Sequence, residues 1–406
     1  MGKPLEGIKV IEVSMWAMVP SAGAVLSDMG ATVIKIEPPS GDPIRQLNAG
    51  GIGPGTAGFS SSFMYEIYNR GKRSVTMDLN VEGAVEVLHK MLEGADVFLT
   101  SLLPGARRKL KIDIPDITGR HPNVIYAVGT GQGAHGPDAE KGGYDSISFW
   151  ARSGVASAVT PNDLPYPLGM PGGAFGDGMT GAIFAGGICA AIAQRERTGK
   201  ASIVDGCLLA TGMWSMQPGI TGCSLVGWEE MPKAGRTMMP NPLVNNYKTS
   251  DGRYLALCML QGQRYWPGFC TAIGHPELIN DPRFATDADR AANITECIGA
   301  IDAIFATKTL AEWRPILLSQ DGQWDTVQKV GELARDADAV ANGFVQEVDY
   351  GDGRKLTMVS TPVQFDRKPL KTGPAPEMGQ HNDEVLAELG LSEDEIIDLK
   401  VAGIIY

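Results

Sequence analysis

Short β-rich runs alternate with helical stretches through the first 130 residues, and this alternation constrains the fold more than any other feature of the chain. IKVIEV (8–13) is followed by a helical stretch from Ser21 to Met29 and by TVIKIE (32–37). RSVTMDL (73–79), a helical stretch from Val81 to Leu92, DVFLT (96–100) and NVIYAVGT (123–130) continue the series. This alternation of strand-like and helical stretches favours a mostly parallel sheet covered by helices. Residues 1–150 therefore read as one α/β unit of Rossmann-like character.

Beyond residue 150 the pattern changes. Residues 150–215 are helical and rich in small side chains, and 216–245 hold Pro, Gly and Asn in quantity, as a linker does. A smaller α+β unit over 246–325 starts with the strand RYLALCML (253–260) and continues with helices at Glu296–Phe305 and Leu310–Leu318. Residues 326–406 begin as a second linker, return to strand-like segments (FVQEVDY, KLTMVSTPVQF) and end in a helix for which Ser392 and Glu395 have capping-box spacing. At 406 residues the chain exceeds a single hydrophobic core, so a large domain starting in 1–215 plus a small one is expected.

A formal net charge of -12 opposes nucleic acid and anionic membrane surfaces. The N-terminal MGKPLEGIKVIEV lacks the pattern of a secretory signal, and the longest apolar run, Gly181 to Ala193, is too short to span a bilayer and reads as a packed core helix. Six cysteines without a Cys-x-x-Cys pair and five scattered histidines support neither a disulfide scaffold nor a metal site. A cytoplasmic protein is the expectation.

Three features bear on chemistry. Gly131-x-Gly133-x-x-Gly136 follows a strand but leads into Pro137-Asp138 rather than a helix, so NAD or FAD binding is not expected and the loop reads instead as the lining of a site at a strand's carboxyl end. Asp177 stands between Gly176 and Gly178 at the start of the Gly/Ala helix, where it reads either as an N-cap or as an ionised carboxylate exposed to close approach by a ligand. Lys72-Arg73, Arg107-Arg108 and Lys141 are basic spots next to strand ends, suited to surface solvation or to a phosphorylated cofactor. Trp16, Phe149 and Trp150 read as core or as the floor of a pocket.

Taken in order, PLEGIKVIEV, MGATVIKIEPPSGDPIR, NRGKRSVTMDL, GGYDSISFWARSG, FGDGMTG with AQRERTGK, and GQHNDEVLAELG make the chain resemble the class III CoA-transferases, the group that includes formyl-CoA transferase and the CaiB/BaiF proteins. The resemblance implies a CoA-transferase moving CoA from an acyl-CoA to a carboxylic acid, with Asp177 as nucleophile passing through a mixed anhydride and an aspartyl-CoA thioester. Amides of Gly176 and Gly178 are the expected oxyanion donors. Coenzyme A contacts are expected at Trp16, Ala17, Lys72, Arg73, Lys141 and Tyr144, and at Arg107 or Arg108 because Pro38 and Leu103 replace basic residues of some relatives. No metal is implied. The family also implies an interlocked homodimer whose large domain recruits the C-terminal tail.

Racemases of the same family use a histidine where this chain has Tyr144 and a glutamate near Gln261. Neither residue readily takes an α-proton near neutral pH, so transfer is expected over racemisation or epimerisation. A CoA-binding subunit without turnover is the remaining alternative. MMPNPLVNNYKT stands where formyl-CoA transferase has a glycine-rich loop, which disfavours oxalate and formate. FWARSGV and NPLVNNYKTSDG are most similar to the branch acting on 2-hydroxy acids such as aryl-lactates.

Overall fold

The computed structural model describes residues 2–233 and 235–406. They form two compact units, one comprising residues up to Thr160, Tyr166–Met231 and Asp336–Tyr406, the other Pro161–Pro165 and Pro232–Arg335. The first unit holds a six-stranded sheet of β1 (Lys9–Val13), β2 (Thr32–Glu37), β3 (Arg73–Thr76), β4 (Val97–Thr100), β5 (Ile125–Thr130) and β6 (Ile203–Cys207). Its spatial order is β3-β2-β1-β4-β5-β6 and every pairing is parallel.

The intervening helices are α1 (Met18–Asp28), α2 (Phe63–Asn69), α3 (Ala84–Leu92), α4 (Pro104–Lys109), α5 (Ile114–Arg120), α6 (Val155–Val159), α7 (Phe175–Thr198), α8 (Leu208–Ser215) and α9 (Gln217–Val226). Because side chains along a strand alternate between faces, consecutive residues feed two different cores. Val10, Val33, Val97 and Leu99 pack with Val19 and Leu26 of α1 and Phe184 and Ile188 of α7. Ile11, Ile34, Phe98 and Tyr126 pack on the other face with Leu88 and Met91 of α3 and Ile117 of α5. That second core also takes in Val385, Leu386, Ile396 and Ile405 from the C-terminal tail. The tail docks on the sheet edge through a bridge between Met77 and Ile405 and a 2.8 Å hydrogen bond from the Thr76 amide to the Asn382 side chain.

Several elements escape the sequence pattern of the first unit: the short helices α2, α4 and α5, and also β6 and α9. β6 falls inside 150–215, which reads as helical; its IVDGC sequence carries a polar residue and a glycine and lies at the sheet edge, so no apolar run marks it. α9 falls inside the 216–245 stretch that reads as a linker. The α7 helix has 24 residues, longer than its apolar run, and by length and composition alone it is able to cross a membrane. Here it packs on α1, so tightly that a Cβ on Gly181 would lie 2.6 Å from the Ser21 Cβ.

The second unit is built on an antiparallel sheet of β7 (Val244–Lys248), β8 (Tyr254–Cys258) and β9 (Trp324–Thr326). Its core gathers Tyr247, Trp266, Phe269, Phe305 and Trp313. In the first unit the tail adds a hairpin, β10 (Val345–Asp349) with β11 (Lys355–Val359).

Candidate active site

The chain runs outward from β1 through β2 to β3, then returns to place β4 on the other side of β1. At such a reversal the connections leave in opposite directions, and the carboxyl ends of the strands open onto a crevice. A cleft of about 330 Å³ lies there. It is lined by Met15 and Trp16 after β1, Ser101–Pro104 after β4, Gly129–Gly131 at the end of β5, and by Lys141–Tyr144, Asp177 and Leu208. Gly131, the first residue of the glycine pattern after β5, is thus a lining residue.

Asp177 enters this cleft from the first turn of α7. The N-cap is Ala174, in a left-handed conformation at φ 60°, so Asp177 is the third helical residue and not the cap that its glycine context suggests. The capping acceptor comes from another element: the Gly176 amide donates to the Asp145 carboxylate at 2.9 Å. Asp145 opens a π-helix over Asp145–Ala151, directly after Tyr144. Close approach requires a glycine at 176, because a Cβ there would lie 2.2 Å from the Phe149 ring and 2.4 Å from Asp145 Oδ1. Phe149 and Trp150 are accordingly core residues.

Burial, with the neighbouring Asp145 carboxylate adding to it, raises the Asp177 carboxyl to about 7. The sequence reading of an ionised carboxylate holds only without strong desolvation, and burial here supplies that desolvation. The oxyanion donors are corrected. The Gly176 amide is committed to Asp145, and the Gly178 amide donates to the Ala174 carbonyl at 3.0 Å.

The basic residues separate into three sets. Lys72 is fully buried, ion-paired with Glu12 at 2.8 Å and donating to the Pro20 carbonyl and the Asn69 side chain, so it belongs to the core and is corrected from a phosphate contact. Arg73 lies at the β3 edge, bound to Glu384 and Glu388 of the tail and away from the lining of the cleft. Arg108 points outward in a two-bond pair with Glu140. Arg107 lines the cleft but is half-neutralised by Asp113 at 2.9 Å and donates to the Leu102 carbonyl. Lys141 lines the cleft, is exposed, and forms no ion pair among the described residues.

Trp16 and Tyr144 stand together at the cleft, their rings edge to face with centroids 5.7 Å apart. Trp16 is held at φ 68°, a costly conformation for a non-glycine residue, by its amide donating to Asp42 Oδ1 at 3.0 Å. Asp42 is fixed in turn by Lys35, fully buried, at 2.9 Å. Ala17 is buried next to Trp16 in a small apolar cluster with Ile44, Met64 and Tyr65. Asp42, which fixes Trp16, Asp145, which caps α7, and Tyr68, whose phenol is raised by burial and in part by the Asp177 charge, stand behind the lining of the cleft, and sequence reasoning missed all three. Asp145 alone carried a signal, its place beside Tyr144. Among the described residues there is no cluster of three or more His, Cys, Asp or Glu side chains able to hold a metal ion.

The family model described as CoA-transferase family III matches residues 5–382. The (R)-2-hydroxy-4-methylpentanoate CoA-transferase of Clostridioides difficile is 33% identical over 402 residues, 99% of each chain. The cinnamoyl-CoA:phenyllactate CoA-transferase of Clostridium sporogenes is 29% identical over 396 residues, covering 97% of this chain and 95% of the relative. Among solved structures, a CAIB/BAIF family protein from Brucella suis superposes with a TM-score of 0.84 at 26% identity, over 96% of this chain and all of the other.

Proposed function

The chain belongs to CoA-transferase family III and is a CoA-transferase, and from that premise we propose that Asp177 carries the transfer and that 2-hydroxy acids are its substrates. In the forward half-reaction an Asp177 carboxylate oxygen bonds to the thioester carbonyl carbon, whose π pair moves onto oxygen. Collapse of that oxyanion expels the CoA thiolate and leaves a mixed anhydride. The thiolate then bonds to the aspartyl carbonyl carbon, releasing the donor acid and leaving an aspartyl-CoA thioester, and the acceptor acid runs the steps in reverse. The observation that carries this reading is a carboxylate to which no described residue hydrogen-bonds, opening onto the cleft at the sheet's reversal point. Its raised pKa keeps it a better nucleophile than an ordinary aspartate once ionised, since nucleophilicity follows basicity.

CoA binding follows from the same cleft. Lys141 is the unpaired cation for a phosphate, Arg107 a second, and Trp16 with Tyr144 an aromatic wall. Tyr144 is a weak base, which argues against α-proton exchange. The 2-hydroxy acid class is inferred from the two clostridial relatives.

We further propose a homodimer in which a second copy covers α8 and α9, with the unit of Pro232–Arg335 as the small domain. No residue of α9 is buried, while Trp214 is 71% and Leu225 80% exposed, more apolar surface than an isolated chain leaves to water without a partner. Light scattering at micromolar concentration tests this, and a monomer contradicts it. For the chemistry, incubation with an acyl-CoA followed by hydroxylamine modifies Asp177 in the peptide map; a clean map under turnover, or solvent deuterium at the α-carbon without an acceptor acid, refutes the reading.

A further inference from the structure

With the Gly176 and Gly178 amides both committed, the negative charge that develops on the acyl oxygen needs a donor from elsewhere. The surroundings of Asp177 contain one. Tyr68, near the end of α2, packs in the small cluster with Trp16, Ala17 and Ala174, and its hydroxyl oxygen lies 3.8 Å from where a Cβ on Gly178 would stand. A Cβ at 178 would stand in ordinary van der Waals contact with this hydroxyl, which places the phenol beside the first turn of α7.

Among the described residues the Tyr68 hydroxyl has no hydrogen-bond partner, which it shares with the exposed Tyr144, Tyr166, Tyr254 and Tyr406 but not with the buried and other half-buried tyrosines. Tyr65, Tyr126, Tyr247 and Tyr350 each use their hydroxyl as a donor, to Glu37, to the Ile112 carbonyl, to the Pro242 carbonyl and to Glu66 respectively. Among the described residues none hydrogen-bonds to the Tyr68 hydroxyl. A half-buried tyrosine ordinarily finds a partner for its polar end, so an idle one in a site is a donor awaiting a ligand. Burial, then the Asp177 and Asp145 carboxylates, push this phenol up to about 12 against the opposing effect of Arg70, so it stays protonated at any working pH.

We infer that the Tyr68 hydroxyl donates a hydrogen bond to the carbonyl oxygen of the acyl group under attack by Asp177, acting as the oxyanion donor of the transfer. It gives up no proton; its hydrogen bond shortens as the carbonyl π pair localises on oxygen and relaxes as the CoA thiolate leaves. The inference rests on Asp177 being the nucleophile, and the test keeps the two apart.

Tyr68→Phe removes one oxygen to which no described residue hydrogen-bonds, so its melting temperature should match the parent. Its kcat should fall by roughly a hundredfold to a thousandfold, the usual effect of losing one oxyanion donor, with little change in KM for the acyl-CoA. The fall should be the same for 2-hydroxy acids and for plain carboxylic acids, and hydroxylamine should still trap Asp177, more slowly. Undiminished kcat, or a loss confined to 2-hydroxy acids, overturns the assignment while leaving the Asp177 adduct intact. Absence of the adduct in the parent enzyme overturns both.

Discussion

Replacing Asp177 by Asn is expected to abolish transfer and to stabilise the protein increasingly as pH rises above the unfolded carboxyl value. The carboxyl rises from 3.8 in the unfolded chain to about 7 in the fold, driven first by burial and then by Asp145. A raised folded-state value means that the folded protein holds the proton more tightly than the unfolded chain does. The contribution to stability is thus fully present below the unfolded carboxyl value and is lost as pH rises through about 7. A difference of about three units corresponds to about 4 kcal/mol, an upper limit that water entry and relaxation reduce to about 2 kcal/mol. The amide has the same shape, never ionises, and sacrifices no hydrogen bond to any described residue. Urea denaturation of parent and Asp177→Asn across the acid-to-alkaline range reads the effect directly. The curves should converge below pH ~4 and separate by about 2–4 kcal/mol near pH ~9, the variant being the more stable. Parallel pH dependences would show that Asp177 is an ordinary solvated carboxylate and would refute the reasoning.

Asp145→Asn keeps an acceptor for the Gly176 amide and removes one negative charge, so the acidic limb of the pH-rate profile of transfer should move to lower pH with the fold retained; an unmoved limb contradicts the coupling. Gly176→Ala forces a methyl into the Phe149 ring and Asp145, and should lower stability by about 1–3 kcal/mol in urea titrations, with activity falling further than stability explains because the first turn of α7 shifts. Lys141→Ala should raise KM for acyl-CoA by about tenfold and flatten its salt dependence with kcat little changed, as loss of a single phosphate contact does. Unchanged KM would move the phosphate site to Arg107.

The alternation of β-rich runs with helical stretches was enough to place β1 to β5 with α1 and α3, whereas α2, α4 and α5 were not legible, being single short helices of six or seven residues. β6 was not legible either: its polar edge sequence is defined by pairing with β5, not by its own pattern. In the site, Asp177 was visible through its glycine neighbours and the family resemblance, but its electrostatic state was not, because that state depends on Asp145, 32 positions away. Lys72 shows the same limit from the other side. A Lys-Arg pair before a strand looks like a phosphate contact, and only the fold reveals Glu12 underneath it. Tyr68 carried no signal, since FMYEIYN is an ordinary amphipathic turn until Gly178 is packed beside it.

The central claim, a covalent bond between the Asp177 carboxyl and the acyl group, is tested most directly by oxygen accounting. When the acceptor acid carries heavy oxygen on its carboxylate, one of those atoms bridges the mixed anhydride and stays with the aspartate as the new acyl-CoA departs. Mass spectrometry of the peptide containing Asp177 after turnover should therefore show incorporation of the heavy isotope at that residue and nowhere else. Full turnover with an unlabelled Asp177 would contradict the account.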